Sequence, residues 1–367
     1  MPEARPTVLI TGIAGNLGMR LLPQLPDFSL VGVDMRPPSA GGLARFEALD
    51  LGKESSTLEL MRLLRETRAS AVVHLAFVID PVRTGVTEVE RMWQINVAGT
   101  ARVMEAISEI NRDQSQVRKF IFPSSVSAYG SDLPGPVQED FPLRGHSLPY
   151  AIHKRESDLV VQQRARELWD CCTYILRPHI YAGASVNNYL LGAFRGTPTG
   201  RSARAERWRK QGKRLPCMLP LGQRYRDKLF QFVHVDDVAR LIAHILRRSA
   251  RDPRLTILNV AGRGEPLAVG ECIRRSGNRF VPVPTRPLFG AVLRALWRLN
   301  ISGIPPQVVP YMTGSYIMDT SRLRSFLGHE YEEVIQFTIE QALEDSFRNV
   351  LPRAQAPDSP TRSASAR

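Results

Sequence analysis

Tyr150-Ala151-Ile152-His153-Lys154 places a phenol and an ammonium four residues apart. On a helix, residues i and i+4 share a face. A phenol with a pKa of about 10 is a poor base at neutral pH. A lysine cation beside it favours the phenolate. Tyr150 is then suited to give and take the proton of an alcohol/ketone pair. The pattern alone also describes an ordinary surface pair. Its position sets it apart, because it opens a helix with Pro149 in the first turn, where a missing N–H costs nothing. That helix follows a strand, Phe120-Ile121-Phe122, which runs into Pro123 and the pair Ser124-Ser125.

A second chemical stretch lies at the start of the chain. The apolar run Val8-Leu9-Ile10 stops at Thr11-Gly12, Gly15 and Gly18 follow, and Met19-Arg20-Leu21-Leu22 reads as helix. A short apolar run bounded by glycine reads as a buried parallel strand. Gly12 allows a tight turn, Gly15 lets backbone approach a phosphate, and Gly18 lets the helix pack close to the sheet. Free N–H groups at the helix start point at a pyrophosphate. The next strand, Ser29 to Val33, ends at Asp34, about 20 residues on, where a carboxylate accepts hydrogen bonds from a ribose. That favours NAD and makes NADP less suited, although Arg36 nearby could accept a 2′-phosphate. An oxidised nicotinamide adds a second positive charge near Tyr150.

The elements that position these groups alternate. Strand patterns at Arg45–Leu49, Ala71–Ala76, Phe120–Phe122 and Thr173–Leu176 are separated by helical patterns at Leu58–Leu64, Val86–Ile110 and Pro149–Trp169. Alternating βα units predict an α/β fold, a doubly wound parallel Rossmann-type sheet. The expected division is a dinucleotide-binding part over 1–180, rejoined by segments near 229–260, and a smaller substrate-binding part over 181–350. Strand patterns at Leu229–Val233 and Thr256–Val260 and helical patterns at Ala239–Leu246 and Val334–Phe347 fall in this second half. Residues 351–367 read as a disordered tail.

The chain has 367 residues and a formal charge of +13, with pI near 10. Much of the excess lies between Arg195 and Lys228, where only Glu206 and Asp227 oppose the cations. This basic insertion, 195–228, is either a lid over an anionic substrate or a solvated surface segment. Only Trp208 and Tyr225 interleave as aromatics, which argues against nucleic acid. Leu288–Leu299 is apolar enough to wall a pocket or touch a membrane surface, with a packed helix as the plain alternative. No window is long enough to span a bilayer. Four cysteines without metal spacing read as reduced thiols, which with no leader predicts a cytoplasmic protein. His153, His179 and His234 share no ligand spacing, so no metal is expected.

Taken together, the chain resembles the extended short-chain dehydrogenase/reductase family, the NAD-dependent epimerase/dehydratase group. The resemblance rests on Thr11-Gly12-Ile13-Ala14-Gly15-Asn16-Leu17-Gly18, Asp50-Leu51, His74-Leu75-Ala76-Phe77, Asn96, Ser124 to Gly130, Tyr150 with Lys154, Leu176-Arg177-Pro178 and Phe232 to Ala239. It implies that Ser125 holds the substrate oxygen, Tyr150 moves the proton, and Lys154 binds the ribose and tunes Tyr150. Ser124 and Ser127 lie close enough to share the role of Ser125. It implies NAD contacts at Gly12, Gly15, Asn16, Leu17, Gly18, Asp34, Arg36, Asp50, Leu51, Leu75, Ala76, Asn96, Tyr150, Lys154 and Pro178. The dehydratases of that group carry Asp-Glu where this chain has Val126-Ser127, so dehydration is not expected. Ile180 stands near the place of an asparagine that contacts a diphosphate in nucleotide-sugar enzymes. The expected function is an NAD-dependent oxidoreductase or epimerase of a secondary alcohol or ketone, sugar-like in one version. The alternatives are a dehydrogenase or reductase of an apolar, hydroxysteroid- or flavonol-like substrate, and a non-catalytic dinucleotide-sensing regulator. The expected partner is a small-molecule substrate, and a homodimer is compatible with the chain.

Overall fold

Val8 and Ile10 of strand β1 (Thr7–Thr11) turn to one side of a sheet and Leu9 to the other, and all three are buried. Successive strand residues point to opposite faces. An apolar run of this kind therefore needs cover on both. β1 pairs in parallel with β2 (Ser29–Asp34) and β4 (Ala71–His74), so that Ile10 sits between Gly32 and Val73. β3 (Arg45–Ala48), β5 (Lys119–Pro123), β6 (Cys172–Pro178) and β7 (Leu255–Val260) complete a seven-stranded parallel sheet ordered β7-β6-β5-β4-β1-β2-β3. The order reverses between β1 and β4, and a crevice opens there at the carboxyl ends of the strands. The computed structural model describes residues 5–79, 88–114, 116–168, 170–249 and 252–348.

Helices cover both faces. Leu21 of α1 (Asn16–Leu21) and Val238, Leu241, Ile242 and Ile245 of α5 (Val235–Arg247) pack with Val8, Ile10, Val73 and Leu176. On the other face, Leu60, Leu63 and Leu64 of α2 (Ser56–Thr67) and Val103 and Ile107 of α3 (Gly99–Gln114) pack with Leu9, Val72, Phe120 and Ile175. Lys119 at the start of β5 caps α5, its Nζ donating to Ile245 O at 2.8 Å and Leu246 O at 2.9 Å. A cation there complements the negative end of the helix dipole. A third core lies outside the sheet and gathers Phe194, Leu219, Phe230, Phe232, Phe289 and Leu343. It is built from short elements, including the parallel pairs Cys217–Pro220 with Phe280–Val283 and Ile180–Ala182 with Phe232–His234.

Several expected elements differ. The long helix expected from Val86 has its first residues outside the described ones. From Val89 it runs to Trp93, loosens into a π-helical stretch at Gln94–Ala98, and continues as α3. The helix expected to reach Trp169 is α4 (Pro149–Arg164), and Trp169 lies outside the described residues. The strand expected at Leu229–Val233 divides at Gln231. That side chain bonds Met318 N and O, and the two halves pair with different partners. The helix expected over Val334–Phe347 breaks at Ile335–Thr338. The Asp237 carboxylate accepts from Gln336 N at 3.0 Å and Phe337 N at 3.1 Å, drawing that backbone out of helical pairing. Thr338 and Gln341 then form a capping box and restart the helix at Ile339. The tail expected over 351–367 lies outside the described residues.

Candidate functional site

Gly12 leaves β1 with φ +71°, and its N–H donates to Val33 O at 2.8 Å. A Cβ there would lie 2.4 Å from Ala76 N, and one at Gly18 would lie 2.5 Å from Ile13 O. Only glycine lets these segments approach so closely. Gly15 and Asn16 are exposed at the mouth of the loop. Asn16 Nδ2 donates to Ser185 O at 3.1 Å, tying the glycine loop to the segment beyond β6. Leu17 packs between two cores. Asp34 faces the same loop, where its carboxylate accepts from Ala14 N at 3.0 Å and Met35 N at 2.7 Å. Arg36 is exposed.

Behind the loop a buried polar chain fixes the ends of β1 and β4. Thr11 Oγ1 accepts from Ala76 N at 3.3 Å and bonds His74 Nδ1 at 2.7 Å; His74 Nε2 bonds Thr100 Oγ1 at 3.0 Å, and Thr100 donates to Asn96 O at 2.6 Å. Since Thr100 gives its proton to Asn96, His74 Nε2 must carry the proton of that ring. Burial, and the positive charge of Lys154 after it, push His74 down to about 3, so it stays neutral. Asn96 accepts from Val78 N at 2.7 Å, donates to Val78 O at 3.0 Å, and bonds His153 Nδ1 at 3.2 Å. Expected as a cofactor contact, Asn96 here fastens the loop after β4 to α4. Asp50 accepts from Gly52 N at 2.9 Å and pairs with Arg91, a partner that the sequence reading missed. Leu51 is buried beside it.

The candidate residues Ser125, Tyr150 and Lys154 meet where β5, β6 and α4 converge. Beyond Pro123, Ser125 takes an extended conformation with φ −166°. Its Oγ accepts from Ser127 N at 3.2 Å and Ser127 Oγ at 2.9 Å. Tyr150 enters on α4. Burial raises its pKa, and hydrogen bonds with Ser125 and Ser127 oppose the rise. Lys154, one turn on, is buried and donates to Pro123 O at 2.6 Å. Its Nζ lies 3.7 Å from the centre of the Phe77 ring and 4.9 Å from that of Phe122. Burial lowers its pKa to about 7, against an opposing pull from Asp158. The serine hydroxyls act on the phenol here, and the ammonium is itself held near neutrality. Pro178 closes β6 and is buried.

Two further features, the partner of Arg177 and a set of buried hydroxyls, had little sequence signal. Arg177, on β6, donates from Nε and Nη2 to the two oxygens of Asp158 on α4, each at 2.9 Å, and both side chains are buried. Its Nη1 donates to the Tyr129 phenol oxygen and to Glu139 O, each at 2.7 Å, and the Tyr129 hydroxyl donates to Asn259 Oδ1 at 2.7 Å. Asp158 lies four residues after Lys154, so the helical period places it on the same side of α4. The Ser124, Tyr181 and Ser185 hydroxyls are buried and have no partner among the described residues. Tyr181 packs between two cores, and burial, with Tyr150 after it, raises its pKa.

The basic segment is more than a solvated insertion. Arg195 is buried, donating to Ser346 O at 2.9 Å and Val186 O at 2.8 Å, and Arg209 and Arg214 also hold backbone carbonyls. Arg224 lies against Tyr225 and Arg226 over Phe280. All four cysteines are free thiols. Among the described residues no cluster of His, Cys, Asp or Glu is arranged to hold a metal ion. No helix there is long and apolar enough to cross a membrane.

A sequence profile described as the NAD dependent epimerase/dehydratase family matches residues 8–261, from the first residues of β1 to just past β7. The chain belongs to that family. A UDP-glucose 4-epimerase of Azospirillum brasilense is 26% identical over 322 residues, covering 83% of this chain and 84% of its own. A D-erythronate dehydrogenase of Cupriavidus necator is 28% identical over 170 residues, 43% of this chain and 50% of its own. Among solved structures, a Thermus thermophilus UDP-glucose 4-epimerase in complex with NAD superposes with a TM-score of 0.62 at 20% identity, covering 94% of this chain and all of that one. The family is thus one of NAD-dependent enzymes, and the sheet order is that of its dinucleotide-binding architecture.

Proposed function

We propose that this epimerase/dehydratase family member oxidises and reduces a secondary alcohol/ketone pair, with Ser125, Tyr150 and Lys154 as its working groups. The observation that carries the reading is the cluster of Ser125, Ser127 and Tyr150 hydroxyls at the carboxyl end of β5, with Lys154 one turn along α4. The cradle left free of Cβ atoms at Gly12 and Gly18 and the Asp34 carboxylate at the end of β2 suit a dinucleotide. Asp34 would hold the adenosine ribose, the glycine loop the pyrophosphate, and Lys154 the second ribose. When bound, the nicotinamide supplies a hydride acceptor and donor. Ser125 donates a hydrogen bond to the substrate oxygen. Tyr150 takes the hydroxyl proton on oxidation and returns it on reduction. Burial keeps the Tyr150 phenol protonated at neutral pH, and a positive charge brought near it favours the phenolate.

Val126 is a buried apolar residue and Ser127 a hydroxyl, so neither supplies the acid or base that elimination of water requires. The reading is therefore epimerase or dehydrogenase rather than dehydratase, with a sugar-like substrate favoured by the length of the match to a UDP-glucose 4-epimerase. The second reading, a dehydrogenase of an apolar alcohol, is favoured by Ile180 in the strand after β6.

The test is turnover of a panel containing UDP-glucose, UDP-galactose and neutral secondary alcohols, followed by product analysis and nicotinamide absorbance. Tyr150→Phe removes one hydroxyl and keeps the ring, so NAD affinity should stay within about twofold. Loss of a positioned acid/base costs about 10²–10⁴ in rate. An unchanged rate on a verified substrate would refute the assignment. NAD retained through purification marks an epimerase, which regenerates its own cofactor; NAD exchanged at each turnover marks a dehydrogenase.

A further inference from the structure

The positive charge of the chain has a definite place. Helix Arg286–Arg298 turns Phe289 and Leu293 into the core beyond the sheet. Its opposite side exposes Leu288, Ala291, Arg294, Ala295 and Arg298, and Leu299 follows. These positions recur at helical spacing on one face. Leu288 is 45% and Leu299 58% exposed, among the most exposed large apolar residues described. A second helix, Ala203–Lys210, begins where the first one ends: Ser202 N donates to Asn300 O at 3.0 Å, Arg201 N to Asn300 Oδ1 at 2.9 Å, and Gly200 N to Ile301 O at 2.9 Å.

Arg204, Arg207 and Lys210 follow one another at three-residue spacing along the exposed side of that second helix. Only Lys210 has an acidic partner, Glu206, at 2.8 Å. Arg201, Arg204, Arg207, Lys213, Arg294 and Arg298 are exposed, and among the described residues their side chains make no ion pair. Arg45, Arg62, Arg247, Arg274 and Arg275 each face a carboxylate. Unpaired cations around exposed leucines make a surface that is both electrostatically and hydrophobically unsatisfied.

We propose that this two-helix surface docks on an anionic lipid bilayer, with Leu288 and Leu299 entering the interface and the surrounding arginines and lysines facing the headgroups. Basic residues together with protruding apolar ones are the composition of interfacial helices. Single-stranded nucleic acid would call for exposed aromatic faces on which bases stack, whereas Trp297 and Trp208 on these helices are half-buried. The contact is peripheral, because a helix of 13 residues is too short to cross a bilayer.

The experiment is co-sedimentation of the full chain with vesicles of phosphatidylcholine alone and of phosphatidylcholine containing 30% phosphatidylglycerol. Binding is expected to the anionic vesicles only and should weaken as salt shortens the screening length. One basic residue near such a surface is worth about fivefold in affinity, so Arg294→Glu/Arg298→Glu should weaken binding by at least about 25-fold. Leu288→Ser/Leu299→Ser should weaken it by about tenfold, since even partial burial of a leucine in the interface contributes on that order. These positions are exposed, so the melting temperature should not move. Equal binding to both vesicles, no binding to either, or anionic binding that ignores the Arg294/Arg298 reversal would overturn the proposal. So would tighter binding to a short DNA duplex at the same salt, unchanged by the leucine substitutions.

Discussion

Lys154→Met should make this protein more stable and less active at once. Folding takes the Lys154 ammonium from water, where its pKa is about 10.4, to a buried position where burial holds it at about 7. Between those values the unfolded chain binds a proton that the folded chain lacks. Stability must then rise with pH across the window, and the penalty is fully present below about pH 7. A depression of about three units sets a ceiling of roughly 4 kcal/mol. Methionine removes the charge and keeps the stem. It also loses the 2.6 Å bond to Pro123 O, about 1–1.5 kcal/mol, and the ring contact at Phe77, about 1 kcal/mol. The net gain at neutral pH is about 1–2 kcal/mol, or roughly 1–3 °C in melting temperature for a chain of this size.

The assay is a set of thermal melts of both proteins from pH 6.5 to 10, with NAD titrations and turnover alongside. The gain from Lys154→Met should be largest near pH 7 and shrink as the pH approaches 10, where the folded wild type is already neutral and the unfolded chain begins to lose its proton. NAD affinity and turnover should both fall, because the proposed ribose contact and the charge beside Tyr150 are lost together. Parallel stability curves, or a variant less stable at neutral pH, would show that Lys154 is not held down by burial.

Three further outcomes follow from the same geometry. Asp158→Asn leaves the buried Arg177 guanidinium without its charged partner and should cost about 3–5 kcal/mol in urea unfolding; a loss under about 1 kcal/mol would refute the reading. Replacing both members, as Asp158→Leu with Arg177→Met, should recover much of that loss, since apolar residues of similar volume often replace a buried ion pair without penalty. Asp34→Ala should cut NAD affinity by about 10-fold or more, the worth of a hydrogen bond to a charged group, and narrow the gap between NAD and NADP in fluorescence titration. Equal affinities in the wild type would assign the choice to Arg36 instead.

The half of the site that was legible from sequence is the half whose physics is local. Gly12 and Gly18 are required by backbone that passes within 3 Å of where a Cβ would sit. β1, β4, β5 and β6 announce themselves as apolar runs because both faces of the sheet are buried. Tyr150 and Lys154 are related by one helical turn. The rest depends on partners distant in the chain. Nothing near Asp158 names Arg177, 19 residues away, or near Asp50 names Arg91, 41 residues away. The break at Ile335 is imposed by Asp237, about 100 residues earlier.

The third core is harder still, because its strands are two to four residues long and its cohesion comes from side chains bonding distant backbone. Arg195 reaches Ser346, Gln231 reaches Met318, and Asn278 reaches Phe194 and Leu215. Such bonds leave no period in the sequence. In the proposed function this part supplies the substrate side of the cleft, while the sheet supplies the cofactor side. On that reading the cofactor class is readable from short motifs, whereas substrate choice would rest on long-range contacts around residues such as Ile180 and Tyr181, whose hydroxyl has no partner among the described residues.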